Sequence, residues 1–179
     1  MKILLHICCG PCAIYPLHRL REQGHEVHGL FYNPNIHPFQ EFRRRIDAAK
    51  TFAEITEFPL EIDEQYGLTD YLRQVVFHEQ ERCSRCYEMR LVQTAEKAAA
   101  NGFEAFTTTL LYSKYQNHQL LSTRCEQLAG QYQTAFFYED FRQGWQQGID
   151  ESRGMGLYRQ PYCGCIYSEQ ERYDRRKRK

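Results

Sequence analysis

Seven of the eight cysteines in this 179-residue chain fall in three tight groups: Cys8, Cys9 and Cys12; Cys83 and Cys86; Cys163 and Cys165. The eighth, Cys125, stands alone. No other feature limits the fold so strongly, because segments far apart in sequence must meet if the groups act together. The apolar run that precedes Cys8 is too short for a signal peptide or a membrane span, and no other stretch reaches spanning length. A cytoplasmic chain is therefore expected, with no membrane partner. Disulfides do not persist in that compartment, so clustered cysteines read as metal ligands or redox thiols.

Strand and helix signals alternate along the whole chain. Ile3–Ile7 is a short apolar run ending at Cys8-Cys9 and reads as a buried strand. Pro11 fits the start of a helix carried by Ile14, Leu17 and Leu20 and closed at Gln23-Gly24. Strands follow at 27–32, 60–62, 103–110 and 134–138. Helices are expected at 39–55, 69–77 (capped by Thr69), 84–100 and 117–129 (stopped by Gly130), with a weaker one at 141–154. Residues 158–167 read as loop. Alternation of this kind predicts an α/β fold, a parallel sheet in three-layer, Rossmann-like form with helices on both faces. One domain over residues 1–168 is expected, followed by a basic tail over 169–179. Hydrophobic residues at 42% and charged residues at 26% exclude a disordered chain. Net charge is zero, but residues 175–179 are all basic, which leaves the body mildly acidic. Such a tail is a solvated end or a phosphate-binding arm.

In parallel sheets ligands bind beyond the carboxyl ends of the strands. Cys8-Cys9-Gly10-Pro11-Cys12 falls there, as do Asn33-Pro34-Asn35, Thr107–Thr109 and Glu139-Asp140. Gly10 permits a tight turn, and the positive end of the following helix favours thiolate. Cys83-Ser-Arg-Cys86 has the spacing that lets two sulfurs share one metal or cluster, and Gly164 lets Cys163 and Cys165 turn inward together. Seven sulfurs exceed one structural zinc site. Two zinc sites, an iron–sulfur cluster with a second metal, and a Cys9/Cys12 thiol oxidoreductase all remain open on spacing. Asp140 is the best-placed carboxylate for a second metal, with helix capping as its alternative role. Cys125 shares a helix face with Leu121 and Leu128 and reads as core. His6 reads as a core histidine, while His37 follows a turn that could reach a ligand.

Five segments together resemble the QueH-type epoxyqueuosine reductases: His6-Ile-Cys-Cys-Gly-Pro-Cys12, Tyr32-Asn-Pro-Asn-Ile-His37, Arg82-Cys-Ser-Arg-Cys-Tyr-Glu-Met-Arg90, Thr107-Thr-Thr-Leu110 and Tyr158-Arg-Gln-Pro-Tyr-Cys-Gly-Cys165. The resemblance runs in order from residue 3 to about residue 168. It implies a fold related to nucleotide α-hydrolase or PP-loop domains and a cobalamin-independent reduction of epoxyqueuosine to queuosine in a tRNA anticodon. It also implies a [4Fe-4S] cluster beside a single iron ion. Their ligands would come from Cys8, Cys9, Cys12, Cys83, Cys86, Cys163 and Cys165, with Asp140 the best-placed aspartate. The implied partners are tRNA carrying epoxyqueuosine and a separate electron donor, with no DNA.

Epoxide opening needs a Lewis acid, electrons and a proton donor. Tyr115, Lys114 and Tyr162 lie near the motif segments and are the candidate donors, with ordinary surface contact as their alternative. Arg43-Arg44-Arg45, Lys114, Arg159, Arg172 and the basic tail could meet phosphate, although a run of arginines is also a common solvated face. Tyr32, Tyr66, Tyr158 and Tyr162 could stack an unstacked base, Tyr162 foremost because it adjoins Cys163.

Overall fold

The computed structural model describes residues 1–174 and 176. Lys2–His6 (β1), Glu26–Phe31 (β2), Leu60–Ile62 (β3), Ala105–Thr108 (β4) and Ala135–Phe136 (β5) form one sheet in the order β3-β2-β1-β4-β5. Every pairing is parallel. β1 is central, and Ile3, Leu4, Leu5 and His6 are all buried. A strand covered on both faces has no solvent side, which is why this one reads as an apolar run interrupted only by His6.

The helices are Gly10–Glu22 (α1), Phe39–Ile55 (α2), Leu68–Val75 (α3), Arg82–Ala100 (α4), His118–Tyr132 (α5), Trp145–Gly154 (α6) and Ile166–Tyr173 (α7). Right-handed crossovers from β1 to β2 to β3 place α1 and α2 on one face. The return to β4 and on to β5 runs the other way, so α4 and α5 cover the opposite face. The packing agrees: α1 lies against α2 and α6, and α4 lies against α5, β1 and β4. The α/β, three-layer, Rossmann-like architecture expected from the sequence is the one observed. No helix among the described residues is long and apolar enough to cross a membrane.

Several local expectations are corrected. Gly67, not Thr69, stands at the N-cap of α3, and no side chain caps it. Gly130 does not stop α5; the helix continues to Tyr132 and ends where Gln133 turns left-handed at φ 55°. β4 ends at Thr108, and Thr109–Tyr112 tightens into a 3-10 turn. The stretch read as loop up to residue 167 already enters α7, which continues to Tyr173. Arg175, Lys177, Arg178 and Lys179 of the basic tail lie outside the described residues.

Candidate metal centre

Strand order reverses between β1 and β4, whose carboxyl ends stand in register with His6 opposite Thr108. Such a reversal opens a crevice, because the two connecting loops leave towards opposite faces. Cys8 to Cys12 enter α1 on one side of it, and Thr109 lies on the other. The Thr109 hydroxyl accepts from the Cys8 amide (3.2 Å) and sits 3.5 Å from the Cys8 sulfur. His6 is buried, with Nδ1 2.9 Å from the Thr108 hydroxyl and Nε2 3.3 Å from the Tyr32 carbonyl. Burial drives its pKa down to about 4, so it is the neutral core histidine expected.

Cys9 is the N-cap of α1, and its sulfur accepts from the Cys12 amide at 3.3 Å. Gly10 is needed here for close approach rather than for a turn. A Cβ on it would lie 2.6 Å from the Ala48 carbonyl oxygen of α2. The ligating atoms of Cys8, Cys9 and Cys12 all lie within 4.8 Å of one another. Four sulfurs around one metal at about 2.3 Å stand roughly 3.8 Å apart, so this trio has the spacing of ligands to a single ion. Hydrogen bonds from the Cys12 and Cys9 thiols hold Cys8 well below the usual thiol range. Cys9 is pushed up chiefly by burial, and Cys12 chiefly by donating to Cys8. Three close sulfurs, with Cys8 favoured towards thiolate, form a donor set suited to a cation.

Cys83 and Cys86 occupy the first turns of α4, and Cys163 and Cys165 flank Gly164 just before α7. Cys83 and Cys86 feel the charge of Cys163 and Cys165, and Cys86 and Cys165 share a small buried cluster with Tyr71 and Val75. Burial pushes the Cys86 thiol up to about 12. Arg90 follows Cys86 by one turn and is 2% exposed; its guanidinium donates to the Cys86 sulfur at 3.0 Å and to the Cys86 carbonyl at 3.2 Å. Cys165 caps α7, its sulfur accepting from the Ser168 amide at 3.4 Å.

Gly164 has φ 153°, and its carbonyl accepts from the His37 amide at 2.8 Å. Arg45 fixes the same loop. It is 1% exposed and pairs with Glu41 at 2.8 Å, while its other nitrogens donate to the carbonyls of Cys163 (2.8 Å) and Tyr162 (2.9 Å). The Tyr158 hydroxyl completes the set by donating to Glu41 at 2.5 Å. Arg45 is thus a buried strut, not a phosphate contact. Arg43 is paired with Glu64, and Arg44 lies over the Tyr158 ring.

Above the sulfurs lies a cavity of about 680 Å³, walled by Cys8, Cys12, Cys163, Arg90, Tyr112, Tyr115, Trp145, Arg159, Gln160 and Tyr162 among others. Gln160 donates to the Cys12 sulfur at 3.1 Å, and Gln116 to that of Cys163 at 3.2 Å. Trp145 reaches the wall because α6 starts close to the Thr109–Tyr112 turn, with the Tyr112 hydroxyl donating to the Trp145 carbonyl at 3.0 Å. Tyr115 is 84% exposed and meets Trp145 edge-on, and the Lys114 amine lies 5.8 Å from the Trp145 ring centre.

Of the four tyrosines expected to stack a base, only Tyr162 lines this cavity. Its hydroxyl is committed to the His37 carbonyl at 2.5 Å. Tyr66 packs on His37, Phe39 and Phe42. His37 is 1% exposed against Tyr66 and Tyr71, away from the cavity wall. Asp140 caps the 3-10 turn at 141–144, accepting from the Arg142 amide (3.1 Å) and guanidinium (2.6 Å), and is not among the cavity-lining residues. Cys125 is fully buried in the core, as expected. Sequence reasoning did not single out Arg90, Gln116, Trp145 or Gln160. Only Arg90 carried a signal, a cation one helical turn beyond Cys86 on the same face.

The donor set fits a metal. Cys8, Cys9 and Cys12 lie within 4.8 Å of one another, and Cys8, Cys12 and Cys163 line the same cavity. Arg90, in contact with the Cys86 sulfur, has no carboxylate partner among the described residues; the charges it faces are Cys86, Cys163 and Cys8. A buried cation needs a compensating anion, and here sulfur supplies it.

Residues 3–171 match the family model described as Epoxyqueuosine reductase QueH. An epoxyqueuosine reductase QueH of Dehalococcoides mccartyi is 39% identical over 172 residues, covering 96% of this chain and 94% of the relative. That of Thermotoga maritima is 32% identical, covering 97% and 93%. A solved structure described as a predicted subunit of tRNA methyltransferase from Methanocaldococcus jannaschii shares the fold, with a TM-score of 0.56 at 10% identity over 88% of this chain and 89% of its own. The chain belongs to the epoxyqueuosine reductase QueH family.

Proposed function

We propose that this chain reduces the epoxide of epoxyqueuosine in a tRNA anticodon to queuosine, using iron held by its seven clustered cysteines. Both carbon–oxygen bonds of the epoxide break and a carbon–carbon double bond forms. Two electrons and two protons enter, and the oxygen leaves as water. The observation that carries the reading is the trio Cys8, Cys9 and Cys12 within 4.8 Å of one another, with Cys8 and Cys12 on the wall of a base-sized cavity, in a chain of this family.

The trio would hold a single iron, and Cys83, Cys86, Cys163 and Cys165, more widely set, a [4Fe-4S] cluster. When bound, these supply a Lewis acid for the oxygen and a store of electrons for the carbons. The chain's own residues do the rest. Trp145, Tyr115 and the Tyr162 ring offer faces on which an unstacked base rests. Their apolar area excludes water from the reacting edge. Arg159 on the wall and Lys114 near the mouth face the phosphates. Proton delivery falls to Tyr115 or Lys114, because the Tyr162 hydroxyl is already donating to His37. Asp140, held by Arg142, would have to leave that partner to ligate a metal. The catalytic unit runs into α7. Electrons come from a separate donor, and a tRNA substrate places the work in the cytoplasm.

Anaerobic purification with iron and sulfide analysis, then turnover on tRNA carrying epoxyqueuosine, tests the proposal. A brown protein that contains both elements and forms queuosine is expected. A colourless protein with stoichiometric zinc and no turnover would overturn it.

A further inference from the structure

We propose that Arg90 is the built-in counter-charge of the sulfur centre, a positioning residue that favours its more negative, reduced state. The proposal rests on the reading that Cys86 and Cys163 hold iron. Arg90 is 2% exposed, and its Nη2 lies 3.0 Å from the Cys86 sulfur while Nε holds the Cys86 carbonyl at 3.2 Å. Both contacts come from one side of the guanidinium fork, so the group is oriented by its own helix. Arg90 lines the same cavity as Cys8 and Cys163.

A guanidinium cannot shed its proton to escape burial. It must be matched by negative charge, and no carboxylate pairs with it among the described residues. Contrast Arg45, equally buried, which has Glu41 at 2.8 Å. Arg90 is thus stable in place only if the sulfurs carry charge, as they do when bound to metal. Adding an electron to the centre increases that charge. A fixed cation in a poorly hydrated site stabilises the added electron, and donation to a ligating sulfur acts in the same direction. Arg90 therefore raises the potential at which the centre accepts electrons.

The test is a potentiometric titration of the anaerobically purified full chain, followed by its visible absorption, with iron and sulfide counted for each variant. Arg90→Gln keeps a donor for Cys86 and removes the charge; its midpoint potential is expected to fall. Arg90→Lys keeps the charge and is expected to stay near the parent value. An Arg90→Gln protein with full iron and an unmoved potential overturns the inference. Loss of iron in Arg90→Gln but not in Arg90→Lys supports it, because charge alone then decides retention. Loss in both overturns it, since the planar fork rather than the charge would be what matters. Absence of iron from the parent chain would instead defeat the underlying reading.

Discussion

Replacing Arg45 with methionine removes the strut that joins α2 to the Cys163–Cys165 loop. Methionine matches the length of the stem, so the change deletes charge and hydrogen bonds rather than packing. Three partners lose their donor: the Glu41 carboxylate, 5% exposed in its side chain, and the carbonyls of Tyr162 and Cys163. Glu41 keeps only the Tyr158 hydroxyl. Breaking a buried ion pair by removing one member costs about 3–5 kcal/mol, because the remaining charge is left uncompensated. The two carbonyls add less, since Cys163 is exposed and water can reach that loop. Set against a whole-domain stability of roughly 5–15 kcal/mol, a loss of about 3–5 is easily measured. Anaerobic urea denaturation followed by circular dichroism is the assay, with unchanged slope and a lowered midpoint expected. The double variant Arg45→Met, Glu41→Gln should recover part of the loss, because the orphaned charge is gone. A single-variant loss below about 1 kcal/mol would refute the claim that this pair is a buried strut.

Three further outcomes are expected. Burial holds His37 down at about 4 against 6.5 for an unfolded histidine, so the unfolded chain takes up the proton first. Stability from this group is complete above pH 6.5 and is lost as pH falls towards 4, by about 3 kcal/mol at 1.36 per unit. Denaturation at pH 7 and pH 4.5 should show a smaller drop for His37→Gln than for the parent; equal drops would count against it. Gly164→Ala puts a side chain on a φ of 153°, with its Cβ 3.0 Å from Asn35 Nδ2 and 3.3 Å from Arg45 Nη1. A cost on the order of 1–3 kcal/mol in urea is expected, with iron lost from the anaerobic protein; wild-type stability and iron content would contradict the strain. Asp140→Ala should remove a cap worth about 1 kcal/mol and leave iron content unchanged. Loss of one iron per chain with sulfide intact would instead make Asp140 a ligand.

What the sequence made legible follows from what leaves a one-dimensional mark. β1 and α1 were readable because a doubly covered strand is an apolar run and Pro11 marks a helix start. The cysteine groups were readable because ligand spacing is local. α7 was not, since its eight residues include no buried one and so carry no periodicity, and its cap is Cys165 rather than serine or asparagine. Arg45 looked like a member of a solvated run. Its burial depends on Glu41 one turn back and on a loop more than a hundred residues away, and only the first is local. Asp140 had two roles open at a strand end, and its neighbour Arg142 decides the contact seen here. Trp145 left no motif at all; its place on the cavity wall comes from the way α6 lies against the Thr109–Tyr112 turn.

The three cysteine-bearing segments belong to the start, middle and end of the chain, and α7 buries nothing of its own. Iron bound across them would act as a cross-link between distant parts of one polymer. Whatever binds only the native form adds RT ln(1 + [L]/Kd) to its stability. The metal supply of the cell then bears on how much of this protein survives proteolysis, as well as on how fast it turns over. In iron starvation the closing segment, held otherwise by Arg45, the Arg82–Glu171 ion pair and the packing of Cys165 and Tyr167, would lose one of its anchors and become easier to open and to cut.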